Sequence, residues 1–269
     1  MTKIALVTGG NQGLGLALVR GLSRKLGDDG VVYLTARDGE RGRAAVKLLE
    51  EEGLSPRFEL LDVTDTANVE ALAGTLRERH GGVDIVLSNA AARISPDLSN
   101  DEQIRSFVDT NNLGAHRMIR AFGPVLNDGA RFVVVASSFG SLRHLLARLR
   151  PGFGTLEQIE ATLDSYVELV ENGRAEEAGW PSWINIPSKV GQVAAVRAFA
   201  AELGGRRDIL VNAACPGLVD TDASRPWFDD MSKAKTPDEA AVDVLWLATL
   251  PAGTRQPYAE LVQYRQVLP

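Results

Sequence analysis

The stretch Ile4-Ala5-Leu6-Val7-Thr8-Gly9-Gly10-Asn11-Gln12-Gly13-Leu14-Gly15 limits the fold of this chain more than any other. A short apolar run rich in strand formers passes at once into a glycine-rich turn, and an amphipathic run from Leu14 to Leu26 comes next. That order predicts a buried strand, a phosphate loop and a helix. Gly9 permits the tight turn, Gly13 lets backbone amides approach a pyrophosphate, and Gly15 lets the helix pack close to the strand. The positive end of the helix then faces the phosphates, which makes a dinucleotide the natural ligand of Gly9, Asn11, Gln12, Gly13, Leu14 and Gly15. Taken alone, the same glycines also suit a plain flexible turn, so the rest of the chain must decide between the two.

The chain of 269 residues suits one doubly wound α/β domain, and a 45% hydrophobic content suits a full core. A net charge of −6 argues against a nucleic-acid footprint, which would be basic. Cys215 is the single cysteine, so no internal disulfide forms and a reducing, cytoplasmic setting is expected. The first strand starts too early to leave room for a leader, and no apolar run approaches the ~18 residues of a membrane span. A soluble chain without membrane contact is therefore expected. His80, His116 and His144 are far apart in sequence, with no partners at ligand spacing, so no metal is expected.

Further along, Val31 to Ala36 is a second strand with Arg37 at its carboxyl end. An acidic residue there would accept hydrogen bonds from the ribose hydroxyls of NAD, whereas arginine suits the 2′-phosphate of NADP. Arg41 lies close enough to join it, and the competing reading is two solvated surface arginines. A helix runs through about Glu52. Arg57 to Val63 is a third strand that brings Asp62 toward the adenine, and a helix from about Ala67, capped by Thr64 or Thr66, leads to the strand Val83 to Asn89. A long helix holds Thr110-Asn111-Asn112, and a fifth strand, Ala130 to Ser138, delivers Ser137 and Ser138 to the carboxyl edge. A helix from about Gln192 to Leu203, a strand Asp208 to Ala214, a helix from Pro237 to about Leu250 and a strand near Tyr258 to Tyr264 complete the chain. Strands alternating with helices imply right-handed crossovers and a doubly wound parallel sheet, a Rossmann fold in one domain over 1–269. Ligands of such sheets bind at the carboxyl edge.

Several pieces in order now carry a resemblance: Thr8 to Gly15, Thr35-Ala36-Arg37-Asp38, Gly53-Leu54-Ser55-Pro56-Arg57-Phe58, Asp62-Val63, Ser88-Asn89-Ala90-Ala91, Thr110-Asn111, Ser137-Ser138, Lys189, and Cys215-Pro216-Gly217-Leu218-Val219-Asp220-Thr221-Asp222. The chain resembles the short-chain dehydrogenase/reductase family, and within it the monomeric NADPH-dependent carbonyl reductases, over nearly its whole length. The resemblance implies NADP(H) as cofactor and a small-molecule substrate. It implies that Asn111 holds a helix kink and a relay water, that Ser138 binds a substrate carbonyl oxygen, and that Lys189 binds the nicotinamide ribose. It also implies that Val63, Asn89, Ala90 and Val135 line the cofactor cleft, and that Pro216, Gly217, Val219 and Thr221 form the loop beside the nicotinamide.

One position departs from the family. The catalytic tyrosine lies four residues before the lysine, and here Asn185 occupies that place, in Asn185-Ile186-Pro187-Ser188-Lys189. A phenol can give a proton to the oxygen on which negative charge develops; an amide can donate a hydrogen bond but no proton. Asn185 is then either a substrate-contacting amide or a helix cap. Pro187 fits only the first turn of a helix, and Ala91 stands where the family has glycine.

A long segment separates Ser138 from Asn185, where compact family members need far less. It reads as a helical insertion over 140–183, with a helix from about Thr155 to Asn172 that carries Leu156, Ile159, Leu163, Val167 and Val170 at mostly helical spacing. The resemblance implies that it covers the surface other members use to form tetramers, which favours a monomer. Arg143, His144, Arg148 and Tyr166 come from it toward the region above the sheet, and each is a candidate to replace the missing acid. Trp227 and Phe228, in a loop running to about Lys235, either cover a flat apolar substrate or pack. Three functions stay open: a reductase of carbonyl or imine-type substrates, a non-redox enzyme that performs a cyclisation or tautomerisation, and a silent NADP-binding module.

Overall fold

Alternate residues of the first strand bury themselves on opposite sides of one sheet. In β1 (Lys3–Val7), Ala5 and Val7 join a core with residues of α1 (Gly13–Leu26), α2 (Gly39–Glu51) and α8 (Pro237–Ala248). Ile4 and Leu6 join the other core, with residues of α3 (Thr66–His80), α4 (Asn100–Val108), α5 (Gly114–Phe122), α6 (Leu156–Glu171) and α7 (Asn185–Leu203). A sheet covered on both faces needs strands that are apolar throughout, and β4 (Val83–Ser88) is buried at every residue.

The computed structural model describes residues 2–269. Its sheet has eight strands in the order β3-β2-β1-β4-β5-β6-β7-β8. The strands β2 (Gly30–Ala36), β3 (Arg57–Leu60), β5 (Leu126–Val135), β6 (Leu210–Ala214) and β7 (Leu261–Gln263) are all parallel to β1 and β4; only β8 (Gln266–Val267) is antiparallel, to β7. The chain reverses its direction of winding between β1 and β4, which opens a crevice at their carboxyl ends. The doubly wound parallel sheet expected from the sequence is the fold observed.

Several boundaries differ from expectation. β3 stops at Leu60, so Asp62 and Val63 lie in the loop after it. There Asp62 Oδ1 accepts bonds from Thr64 N (2.9 Å) and Oγ1 (2.7 Å), a turn that peels the chain off the sheet. The cap of α3 is Asp65, which accepts from Asn68 N, and neither threonine has that role. β5 begins earlier, at Leu126, and ends at Val135, so Ser137 and Ser138 stand beyond it at the start of a 3₁₀ turn. α7 starts at Asn185 instead of Gln192, with Pro187 tolerated in its first turn because the first helical N–H groups lack intrahelical partners anyway. α8 ends at Ala248, and the expected final strand is a short hairpin of β7 and β8.

The segment between Ser138 and Asn185 is a series of 3₁₀ turns and then α6, capped as a box by Thr155 and Gln158. Leu156, Ile159, Leu163, Val167 and Val170 all face the core, as their spacing predicts. At the opposite edge of the sheet the buried Arg131 ties the chain together: its guanidinium donates to the carbonyls of Leu250, Gly129, Ala130, Asp208 and Pro251.

Candidate active site

The glycine turn is fixed by contacts that allow no side chain. A Cβ on Gly15 would stand 2.0 Å from Gly9 O, and Gly13 has a φ of +51°. Thr8 holds the turn to the neighbouring loop: its buried Oγ1 accepts from Asn89 N and Ala90 N, each at 2.9 Å, while Asn89 Nδ2 returns a bond to Thr8 O. α1 begins at Gly13 with no acidic residue in its first turn and no side chain capping its amides. The arrangement leaves a positive helix end and a glycine cradle open to an anion, so it fits the diphosphate of a dinucleotide.

A cleft of about 880 Å³ runs along this edge. Gly9, Asn11, Gln12, Gly13, Leu14 and Gly15 form one wall, and Arg37, Arg41, Asp62, Val63, Asn89 and Ala90 continue it. Arg41 donates from Nη2 to Gln12 Oε1 at 2.5 Å, which places its cation beside the first turn of α1. Asp38, the one carboxylate next to Arg37 in sequence, is committed to capping α2 through Glu40 N (2.9 Å) and Arg41 N (3.0 Å). Burial pushes the Asp62 carboxyl up, but its bonds to Thr64 and the charges of Arg37 and Arg117 bring it below the usual range, so it is an anion.

The far end of the cleft is bounded by Thr221, Asp222 and Arg225 facing Arg93. Arg225 pairs with Asp220 (2.7 Å) and Asp222 (3.0 Å), and Arg93 reaches Asp222 at 3.8 Å across the opening. Sequence reasoning misses Arg93 and these ion pairs; the available signal is the position of Arg93 just after Ser88-Asn89-Ala90-Ala91-Ala92. Pro216, Gly217 and Val219 do not line the cleft. They form the base of a loop that is closed by Asp220 N to Lys235 O (2.8 Å) and Lys235 N to Leu218 O (2.9 Å).

Asn111, Ser138, Asn185 and Lys189, the residues expected to act on substrate, do not line this cleft either. α4 and α5 are joined by a π-helical turn, Asp109–Leu113, which contains Asn111. Asn111 Oδ1 accepts from Ala92 N at 2.7 Å, and Asn112 Nδ2 donates to Ser188 O at 2.8 Å. The turn thus ties the cleft wall to α7. Lys189 Nζ donates to Gln192 Oε1 at 2.8 Å, and burial lowers its pKa to about 8, opposed by the nearby Cys215. Ser138 N donates to Cys215 Sγ at 3.1 Å, so the turn after β5 meets the loop after β6 beside Lys189. Asn185 is the first residue of α7 and caps nothing; Ile184 occupies the cap position.

The candidates for a replacement acid are not brought together here. Tyr166 is fully buried beside Trp180, with ring centroids 4.6 Å apart, and desolvation drives its pKa far up. His144 Nε2 lies 3.2 Å from Ser138 O, and since a carbonyl only accepts, that nitrogen carries the proton. Arg148 is tied to Ala178 O, and Arg143 is exposed. Trp227 and Phe228 remain 37% and 41% exposed rather than packed. Trp227 lines a second pocket of about 310 Å³, in which Ile94, Leu98 and Trp183 alternate with the polar Ser95, Asn100, Gln103 and Ser182. Trp183 packs edge-on to Phe139, the neighbour of Ser138, at 5.1 Å, which sets this pocket close to the Ser138 turn. Among the described residues no cluster suited to a metal occurs, and no helix is long and apolar enough to cross a membrane.

A doubly wound parallel sheet with a glycine cradle at its switch point defines a dinucleotide-binding α/β protein. The family model for short chain dehydrogenases matches residues 3–146. Carbonyl reductase (NADPH) 1 of Homo sapiens is 36% identical over 275 residues, covering 98% of this chain and 97% of that protein. Among solved structures, salutaridine reductase from Papaver somniferum superposes with a TM-score of 0.82 at 25% identity, covering 96% of this chain and 99% of that one. Menthone neomenthol reductase from Mentha piperita gives a TM-score of 0.80 at 24% identity, covering 98% and 99%, and shares the fold. The chain belongs to the short-chain dehydrogenase family.

Proposed function

We propose that this protein is an NADPH-dependent oxidoreductase that acts on a small carbonyl or imine-type substrate, in an active site whose tyrosine position is held by Asn185. The observation that carries the reading is one continuous edge. It runs from Arg37 and Arg41, past the open first turn of α1, to Asn89, Ala90 and Thr221, with the Asn111 turn and Lys189 on the adjoining elements. Arg37 and Arg41 would hold the 2′-phosphate, the amides of the glycine turn the diphosphate, and Lys189 the nicotinamide ribose. The cofactor supplies hydride when bound. Ser138 would orient the substrate oxygen, and the pocket of Trp183 and Trp227 would take the rest of the substrate and exclude water.

Asn185 shapes the choice of substrate. Reduction of an iminium carbon needs hydride but no proton at the acceptor, because the nitrogen only loses its charge; an amide at position 185 suffices for that reaction. A ketone needs a proton from elsewhere. Asn185 also favours a second reading, a family member that binds NADP(H) and performs a non-redox step or none. Both readings carry the other proposals: a monomer, with the helical segment 140–183 inserted over the α4 and α7 faces, in a reducing cytoplasm suited to one buried thiol.

NADPH oxidation measured with ketones, quinones and cyclic imines separates them. The first reading expects turnover, largest with cyclic imines. Tight NADPH binding with no turnover of any class supports the second.

A further inference from the structure

Gln192 sits one turn after Lys189 on α7 and is 3% exposed, yet both ends of its amide are used. Oε1 accepts from Lys189 Nζ at 2.8 Å, and Nε2 donates to Asn111 O at 2.9 Å. That carbonyl lies in the π-helical turn, where the regular helical ladder is interrupted. Asn111 Oδ1 in turn holds Ala92 of the cleft wall. A single chain of bonds therefore runs from the cleft wall through Asn111 and Gln192 to Lys189.

A carboxamide accepts and donates hydrogen bonds but neither takes nor gives a proton near neutral pH. The link between Lys189 and the Asn111 turn is thus a fixed brace and not a proton path. We propose that Gln192 is a positioning residue for Lys189, bracing its ammonium against the Asn111 turn so that it serves as a fixed cation at the reacting end of the cofactor. The inference rests on the reading of Lys189 as a cofactor ligand.

An ammonium drawn partly out of water is costly unless it has acceptors, and desolvation brings the half-buried Lys189 down to about 8. Of the titratable groups on the elements around α7, Cys215 on the loop after β6 senses this charge; burial pushes its thiol up, so it stays neutral beside the ammonium. His144 is engaged with Ser138 O, and His116 on α5 is bonded to Glu160 of α6.

The test is NADPH affinity, read from the fluorescence of the bound cofactor between about pH 7 and about pH 10, in the wild type, Gln192→Leu and Gln192→Glu. Wild-type affinity should fall as pH rises through about 8. Gln192→Leu should move that limb down by about one pH unit or more, because the ammonium loses its acceptor. Gln192→Glu should move it up, because a carboxylate favours the charged form. Limbs that coincide in variants with unchanged circular dichroism overturn the proposal, as does a wild-type affinity that is flat over this range. If Gln192→Leu does not fold, the direction of the Gln192→Glu limb decides alone. NADPH binding with a limb indifferent to residue 192 defeats only this inference; no NADPH binding at any pH defeats the proposed function as well.

Discussion

The two ends of the cleft are built differently. At the end we propose for the diphosphate, the frame is backbone amides, a helix terminus and close-packed glycines, with Gly15 standing against Gly9 O. At the end we propose to be the reacting one, the site would depend on single side chains from separate elements: Asn111 in the π-helical turn, Ser138 after β5, Asn185 and Lys189 on α7. The first kind of site tolerates little change, because sterics fix it; the second changes its chemistry with one residue while the frame stays in place. This explains how a chain keeps its whole cofactor cradle and yet carries an amide where we propose its relatives place a phenol.

The largest effect is expected at the reacting end. Asn185→Tyr should raise ketone reduction by about 10²–10⁴-fold in kcat, the usual weight of general acid catalysis, while NADPH affinity stays near wild type. NADPH-oxidation kinetics with an aromatic ketone read it. No gain with NADPH bound would assign the block to Pro187 or Ala91, and the contrast between the two ends would lie in the pocket's shape instead of in its acid.

Gly15→Ala attacks the other end. The new methyl would meet Gly9 O, so α1 must back away from β1 and NADPH affinity should fall about 100-fold, or about 2.7 kcal/mol. Isothermal titration checks this, and an unchanged affinity would mean that the cradle yields more easily than its geometry says. Arg37→Asp is milder. It should weaken NADPH by about tenfold relative to NADH, since Arg41 remains to meet the 2′-phosphate.

The smallest effect lies behind the reacting end, where Glu160 braces α6 to α5. The bond from His116, opposed by burial and helped by Arg120, holds Glu160 at about 2 against an ordinary 4.5. A carboxyl lowered on folding contributes stability above its unfolded pKa and loses it as pH falls through the folded value. Thermal melts should therefore show wild type losing an advantage over Glu160→Gln between about pH 4.5 and about pH 2, worth on the order of 1 kcal/mol for this partly exposed group. Equal melts across that range would mean that this brace adds nothing to stability.

Much of the molecule is legible in its residues. The alternation of apolar strands with amphipathic helices gives the order of elements, and glycine spacing gives the cradle, because both are local and periodic. The end of β3 is not legible, because a turn made by Asp62 and Thr64 outweighs a run of apolar residues. The start of α7 is only half legible, because a proline that fits a first turn allows a helix to begin at Asn185 but does not require one. Tyr166 reads as a candidate acid, since its spacing says only that it lies on a helix and not what covers it. Gln192 gives no signal at all: its partner Lys189 is one turn away, but Asn111 O is distant in sequence.

The order of elements, the close-packed glycine turn and the amide at position 185 follow from the residues alone, because short-range geometry and side-chain chemistry travel with the chain. What those residues meet was settled by the packing of the folded chain. It set Tyr166 in the core, brought Trp227 and Trp183 to one pocket, and joined Lys189 through Gln192 to the Asn111 turn. Such contacts depend on which helices the sheet brings side by side, and that is a property of long-range packing, which no local pattern encodes.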